Sequence, residues 1–180
     1  MSEVIFFHED FYRMIELIPK QNYFATNRAI EELPHVEGTE SGFFNCNIIP
    51  EHPVKVETLK IPFDDIKNIL EPLALSFHNT ITSGYSTTTY NVDDTVAWGF
   101  ERYGLFIEYS NNMTKSIWLC NSAKFSKCNL GQSLFKAIFS LATNINLILV
   151  DWNRDITVDI SNKKKLKDYL NQVLAFDISD

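Results

Sequence analysis

Tyr103-Gly104-Leu105-Phe106-Ile107-Glu108-Tyr109-Ser110-Asn111-Asn112-Met113-Thr114-Lys115-Ser116-Ile117-Trp118-Leu119-Cys120 is the stretch that decides the fold. Tyr103, Leu105, Ile107 and Tyr109 recur at every second position, the period at which side chains line one face of a strand. Asn111 and Asn112 supply a turn, and residues 115–120 return as a second strand. The stretch therefore predicts a β-hairpin, and with it an antiparallel sheet.

On its C-terminal side, Asn129 with Gln132 three residues later resembles a capping box, and Leu134, Ile138, Leu141, Ala142 and Ile145 make one helical face. This is expected to be the central, most buried helix. Residues 147–152 and 156–160 read as two strands joined through Asn153, Arg154 and Asp155. Ser161 then caps a final helix whose apolar stripe is Leu166, Tyr169, Leu170, Val173 and Leu174, opposite Lys163, Lys164, Lys165 and Lys167.

On its N-terminal side, Phe11, Met14, Ile15 and Ile18 stand at helical spacing until Pro19, predicting a first short helix, and residues 27–33 predict a second. Residues 43–49 and 54–61 read as strands, set apart by Pro50 and Pro53. Pro62 suits the start of a helix that turns Phe63, Ile66, Ile69, Leu70 and Leu73 inward, because its missing N–H is not needed there. Residues 80–90, rich in Thr, Ser and Tyr, read as strand or exposed loop. The sum is an α+β fold: a single domain over residues 1–180, its mainly antiparallel sheet packed by helices.

Composition limits the functions. A chain of 180 residues closes one sizeable core, and its 45% apolar and 22% charged content is that of a folded protein. Cys46, Cys120 and Cys128 are odd in number and form no CxxC, which fits a reduced cytoplasm. The N-terminal stretch shows no export signal, and the longest apolar runs fall short of the roughly 20 residues of a spanning helix. The net charge is −7, unevenly spread: residues 1–110 hold 17 acidic and 7 basic side chains, residues 111–180 hold 6 and 9. Nucleic acid repels such a surface, whereas a basic protein is drawn to it.

Residues able to do chemistry are scattered. No two of His8, His35, His52 and His78 stand at chelating spacing. Asp151, Asp155 and Asp159 would share a face of one continuous strand, but the expected turn at 153–155 breaks it. Cys128, just before a helix, is the candidate thiol, and Cys46 and Cys120 read as small core residues. No Walker loop, GxGxxG, GxSxG or HExxH occurs. The expectation is a protein without catalytic residues, metal or cofactor.

Binding surfaces are better marked. Between Arg28 and Lys55 there is no Lys or Arg, yet Glu31, Glu32, Glu37, Glu40 and Glu51 all lie there, the middle of them beside Gly38 and Gly42 in a loop-like stretch. Asp93 and Asp94, followed by Trp98 and Glu101 and preceded by Tyr85 and Tyr90, give a second candidate, combining aromatic anchors with carboxylates.

Leu147-Ile148-Leu149-Val150-Asp151-Trp152, then Ile156-Thr157-Val158-Asp159-Ile160, then a short helix, together spanning residues 129–174, resemble a recurring ending of bacterial immunity proteins that neutralise polymorphic toxins, including those of contact-dependent growth inhibition. The resemblance implies stoichiometric binding to one cognate toxin domain, often a basic nuclease; the residues marked by composition, Glu31, Glu32, Glu37, Glu40, Glu51, Asp93, Asp94, Trp98 and Glu101, are the expected docking residues. Two rivals stay open: an enzyme using some of Asp151, Asp155, Asp159 and Cys128, and an adaptor subunit of a larger assembly.

Overall fold

A computed structural model of the chain describes residues 4–33, 49–85, 88–100, 103–121, 130–173 and 178. Its centre is the hairpin of the opening stretch, β7 (Tyr103–Ser110) and β8 (Met113–Asn121), paired antiparallel from Tyr103↔Asn121 to Ser110↔Met113. Asn111 and Asn112 both have positive φ, 51° and 59°, as a type I′ turn requires. The turn also holds the next element, because Asn112 O accepts from Phe63 N, where α2 (Phe63–Leu70) begins.

Around this hairpin the remaining strands are β1 (Ile5–His8), β2 (Ile15–Pro19), β3 (Ser76–His78), β4 (Ile81–Tyr85), β5 (Thr88–Val92), β6 (Thr95–Phe100), β9 (Leu147–Asp151) and β10 (Ile156–Val158). Seven form a large antiparallel sheet in the order β10-β9-β2-β8-β7-β6-β3, and three form a small sheet, β1-β4-β5, with β1 parallel to β4. The other helices are α1 (Tyr23–Glu32), α3 (Leu130–Ile145) and α4 (Lys163–Asp168), the last continuing as a π-helical turn over Tyr169–Val173. The architecture is α+β, as expected. Among the described residues no helix is long and apolar enough to cross a membrane.

Alternation sorts the large sheet's side chains between two faces. Leu105, Ile107, Ile117, Leu119, Leu147 and Leu149 point to one face, where α2, α3 and α4 cover them with Ile66, Leu70, Ile138, Leu141 and Leu166. The opposite face has two covers. Over β6–β8 the small sheet lays Ile5, Phe7 and Ile81 against Phe106, Trp118 and Cys120. There Phe106 and Trp118 stack at 4.3 Å and Phe7 meets Trp118 edge-on at 4.8 Å, contacts worth about 1 kcal/mol each beyond simple burial. Over β9 and β2, Tyr23 and Ile30 of α1 pack on Ile18, Ile148, Val150 and Trp152.

Several expectations are corrected. The apolar residues 11–18 are not a helix: a 3-10 turn at Glu9–Phe11 leads, past Arg13 at φ 55°, into β2. Every residue of β2 is buried because it is a central strand, paired to both β8 and β9, and burial on both faces erases the alternation that identifies a strand. Residues 54–61 are not a strand either; Val56–Leu59 is a 3-10 turn ended by Lys60 at φ 51°. Strand β10 stops at Val158, and Asn162, not Ser161, caps α4 by accepting from Lys165 N. Helix α1 starts at Tyr23, earlier than expected. Most of the expected strand 43–49, and Asn129 of the expected capping box, lie outside the described residues.

Gly99 and Gly104 face each other across β6 and β7. A Cβ on Gly99 would sit 2.0 Å from Tyr103 O and 2.5 Å from Gly104 Cα, so the backbone itself would have to move. On Gly104 the nearest atom would be Ile5 Cδ1 at 3.2 Å, the far end of a flexible side chain. Gly99→Ala is therefore expected to lower unfolding free energy by about 3 kcal/mol, with Gly104→Ala costing about 1 kcal/mol or less. Urea denaturation of both variants checks the order, and equal losses would refute it.

Candidate functional site

Among the described residues a strip of the large sheet between the two covers carries no apolar lid, and there the inward alternation turns polar: Glu16 on β2, Ser116 on β8 and Glu108 on β7 all share the face of Trp118. This strip floors a groove of about 580 Å³. Tyr12, Arg13, Glu51, His52, Lys55 and Asp94 also line it.

Glu16 is the most constrained group in the groove, at 2% exposure. Arg13 Nε donates to its Oε1 at 2.6 Å, while His52 Nε2, at 2.9 Å, and Trp152 Nε1, at 3.1 Å, both reach Oε2. Burial pushes its carboxyl up, but the hydrogen bond from His52 and the charge of Arg13 outweigh it and hold the group below its ordinary value. Glu108 Oε2 accepts from Ser116 Oγ at 2.9 Å and from Tyr12 OH at 3.4 Å. Burial, then the Glu108 charge, raises the Tyr12 phenol.

The short turn Glu9–Tyr12 ties this groove to the small sheet. Tyr85 OH donates to Asp10 Oδ1 at 3.0 Å and Tyr90 OH to Glu9 Oε1 at 2.6 Å. These bonds raise both phenols, so the hydroxyls stay protonated donors. His8 meets Tyr85 edge-on at 4.7 Å. The two tyrosines nevertheless remain 51% exposed. Their hydroxyls are anchored while their rings face solvent. Neither residues 1–12 nor residues 68–101 contain a Lys or Arg, so the small sheet and its turns carry Glu9, Asp10, Asp93 and Asp94 with no Lys or Arg of their own, His8 Nδ1 standing 3.3 Å from Asp10 Oδ2.

The structure brings only some of the expected docking residues to this surface. Glu51 lines the groove, its carboxylate 2.9 Å from Lys55 Nζ, and Asp94 lies at the turn between β5 and β6 with φ 54°. Asp93 is exposed beside it. Glu31 and Glu32 sit at the end of α1, Glu32 paired with Arg28 at 2.7 Å. Trp98 is corrected: it is 1% exposed, in the core against Phe63 and Phe77, and offers nothing to a partner. Glu37, Glu40 and Glu101 lie outside the described residues. Glu9, Asp10, Tyr12, Glu16 and Glu108 were not singled out from sequence. The signal available was the lack of Lys and Arg around Tyr85 and Tyr90, together with one carboxylate inside the apolar run 15–18.

The three candidate aspartates have separate sets of partners. Asp151 is fully buried, bound by Asn153 N, Arg154 Nη1 and Tyr169 OH. Asp159 instead binds Lys20 and Ser161, and Asp155 is an exposed turn residue with φ 54°. Cys120 is core, and Cys46 and Cys128 lie outside the described residues. Among the described residues no group of three His, Cys, Asp or Glu side chains is placed to hold a metal. Comparison of the chain with protein-family models, curated proteins and solved structures finds no match.

Proposed function

We propose that this chain is a cytoplasmic immunity protein that binds a basic toxin domain of the nuclease kind and neutralises it as a one-to-one complex. The observation that carries this reading is the surface formed by Glu9, Asp10, Tyr85 and Tyr90, where two solvent-facing rings are fixed by carboxylates on a sheet without Lys or Arg. Exposed aromatics that are already ordered lose little entropy on docking, and the surrounding carboxylates attract a surface built to hold nucleic acid. The test is co-expression with the product of the adjacent upstream gene. Rescue of growth and a one-to-one complex are expected; growth arrest in the presence of folded protein would overturn the reading.

A second reading is favoured by one observation. His52 is hydrogen-bonded to a buried carboxylate at the wall of an open groove, an arrangement that general acid–base catalysis also uses. Under that reading His52→Gln abolishes a turnover, whereas under the first it leaves neutralisation within about threefold.

A further inference from the structure

The small sheet ends in an edge that lacks the usual protections. Exposed edge strands are normally short, charged, broken by proline or bulged, because their unpaired N–H and C=O groups recruit other strands. The large sheet's edges follow this rule: β3 and β10 have three residues each, and β10 packs near α1. Strand β5 does not. It is Thr88-Thr89-Tyr90-Asn91-Val92, with no Lys, Arg or Pro. Its register with β4 runs unbroken from Tyr85↔Thr88 to Ile81↔Val92. Among the described residues it pairs with β4 alone, and residues 88–91 are exposed.

We infer that β5 is the docking edge, where an extended basic segment of the partner protein adds as a fourth strand of the small sheet. The inference rests on the basic-partner reading above and specifies how that partner is held. Main-chain hydrogen bonds to β5 supply affinity, and alternate side chains of the added strand supply specificity. Tyr90 stands on the same face as Ser83 and Ile81, where Glu9 holds its hydroxyl, so Lys or Arg side chains on that face of the incoming strand meet Glu9 and Asp10 and lie across the Tyr rings. A second copy of this chain is the poorer occupant. Two β5 edges brought together would also bring together two sets of Glu9, Asp10, Asp93 and Asp94 on chains of net charge −7.

The probe is a ten-residue peptide of alternating Lys and Val, with a Glu/Val peptide as control, added to the full chain while amide exchange is followed residue by residue. In the free protein alternate amides of residues 88–92 exchange fast, because their N–H groups face the open edge. The Lys/Val peptide is expected to slow those amides by about tenfold or more, the Glu/Val peptide to leave them unchanged, and the E9Q/D10N double variant to weaken binding by about tenfold. Saturable binding with no new protection in β5 would overturn strand addition and leave the basic-partner reading standing. Protection of β5 in the chain alone, rising with its concentration, would assign the edge to a second copy and overturn the inference. No binding would also overturn it, and the growth-rescue experiment then decides the function separately.

Discussion

Glu16→Ala is expected to lower the unfolding free energy by about 3 kcal/mol, the scale of loss when one partner of a buried charged network is removed. The alanine deletes the single acceptor group that Arg13, His52 and Trp152 share. Trp152 Nε1 would lose its acceptor, and Arg13 would lose the anion that fixes it at the groove. Glu16→Gln keeps one carbonyl oxygen but turns an amide toward a donor, so about half that loss is expected. The dependence on pH separates charge from shape. The folded-state carboxyl lies below its ordinary value of 4.5, so its contribution is complete above about pH 4.5 and drains away as pH falls below it, through the depressed folded value. The gap between wild type and Glu16→Gln, measured by urea denaturation, should therefore narrow in acid. A gap constant from pH 7 to pH 3 would mean that packing, not ionisation, carries the effect.

In the proposed complex with a basic toxin domain, Tyr90→Ala is expected to weaken binding by about thirtyfold, roughly 2 kcal/mol, the loss typical of an aromatic anchor. Tyr90→Phe keeps the ring and releases only the bond to Glu9, so it should cost a few-fold, through looser positioning. Glu9→Lys combined with Asp10→Lys acts differently. It should slow association and flatten its salt dependence, while dissociation changes less. Binding kinetics at two ionic strengths distinguish these behaviours, and an unchanged affinity in Tyr90→Ala would remove the small sheet from the interface.

The hairpin 103–120, though buried on both faces, was legible from its Asn111-Asn112 turn and the alternation of Tyr103, Leu105, Ile107 and Tyr109, whereas the helices were legible because one face is buried and the other is not. Helix α2 behind Pro62 and helix α3 keep their period because each packs on one side. Strand β2 was misread for the opposite reason: Ile15, Leu17 and Ile18 are buried on both faces, and Met14, Ile15 and Ile18 happen also to fit a helix. The site was harder still. Tyr12 meets Glu108 across 96 residues of sequence, and Tyr90 meets Glu9 across 81, so no local spacing announces either pair. Tyr85, Tyr90, Asp93 and Asp94 were visible as a composition. Trp98, in the same stretch, reads more readily as core than as an exposed anchor, and core is where it lies.

The placement of β2 bears on how the protein is made. Its backbone is completed by β8 on one side and β9 on the other, both in the last two-fifths of the chain. A growing chain thus emerges with an apolar strand whose partners do not yet exist, and at about 5–20 residues per second the ribosome needs roughly seven to twenty-six seconds more to deliver Asp151. Throughout that interval residues 15–19 are a ready ligand for a chaperone or for a neighbouring nascent chain. The large sheet can close only after β9 has been made, so cellular yield should respond to synthesis rate and chaperone supply.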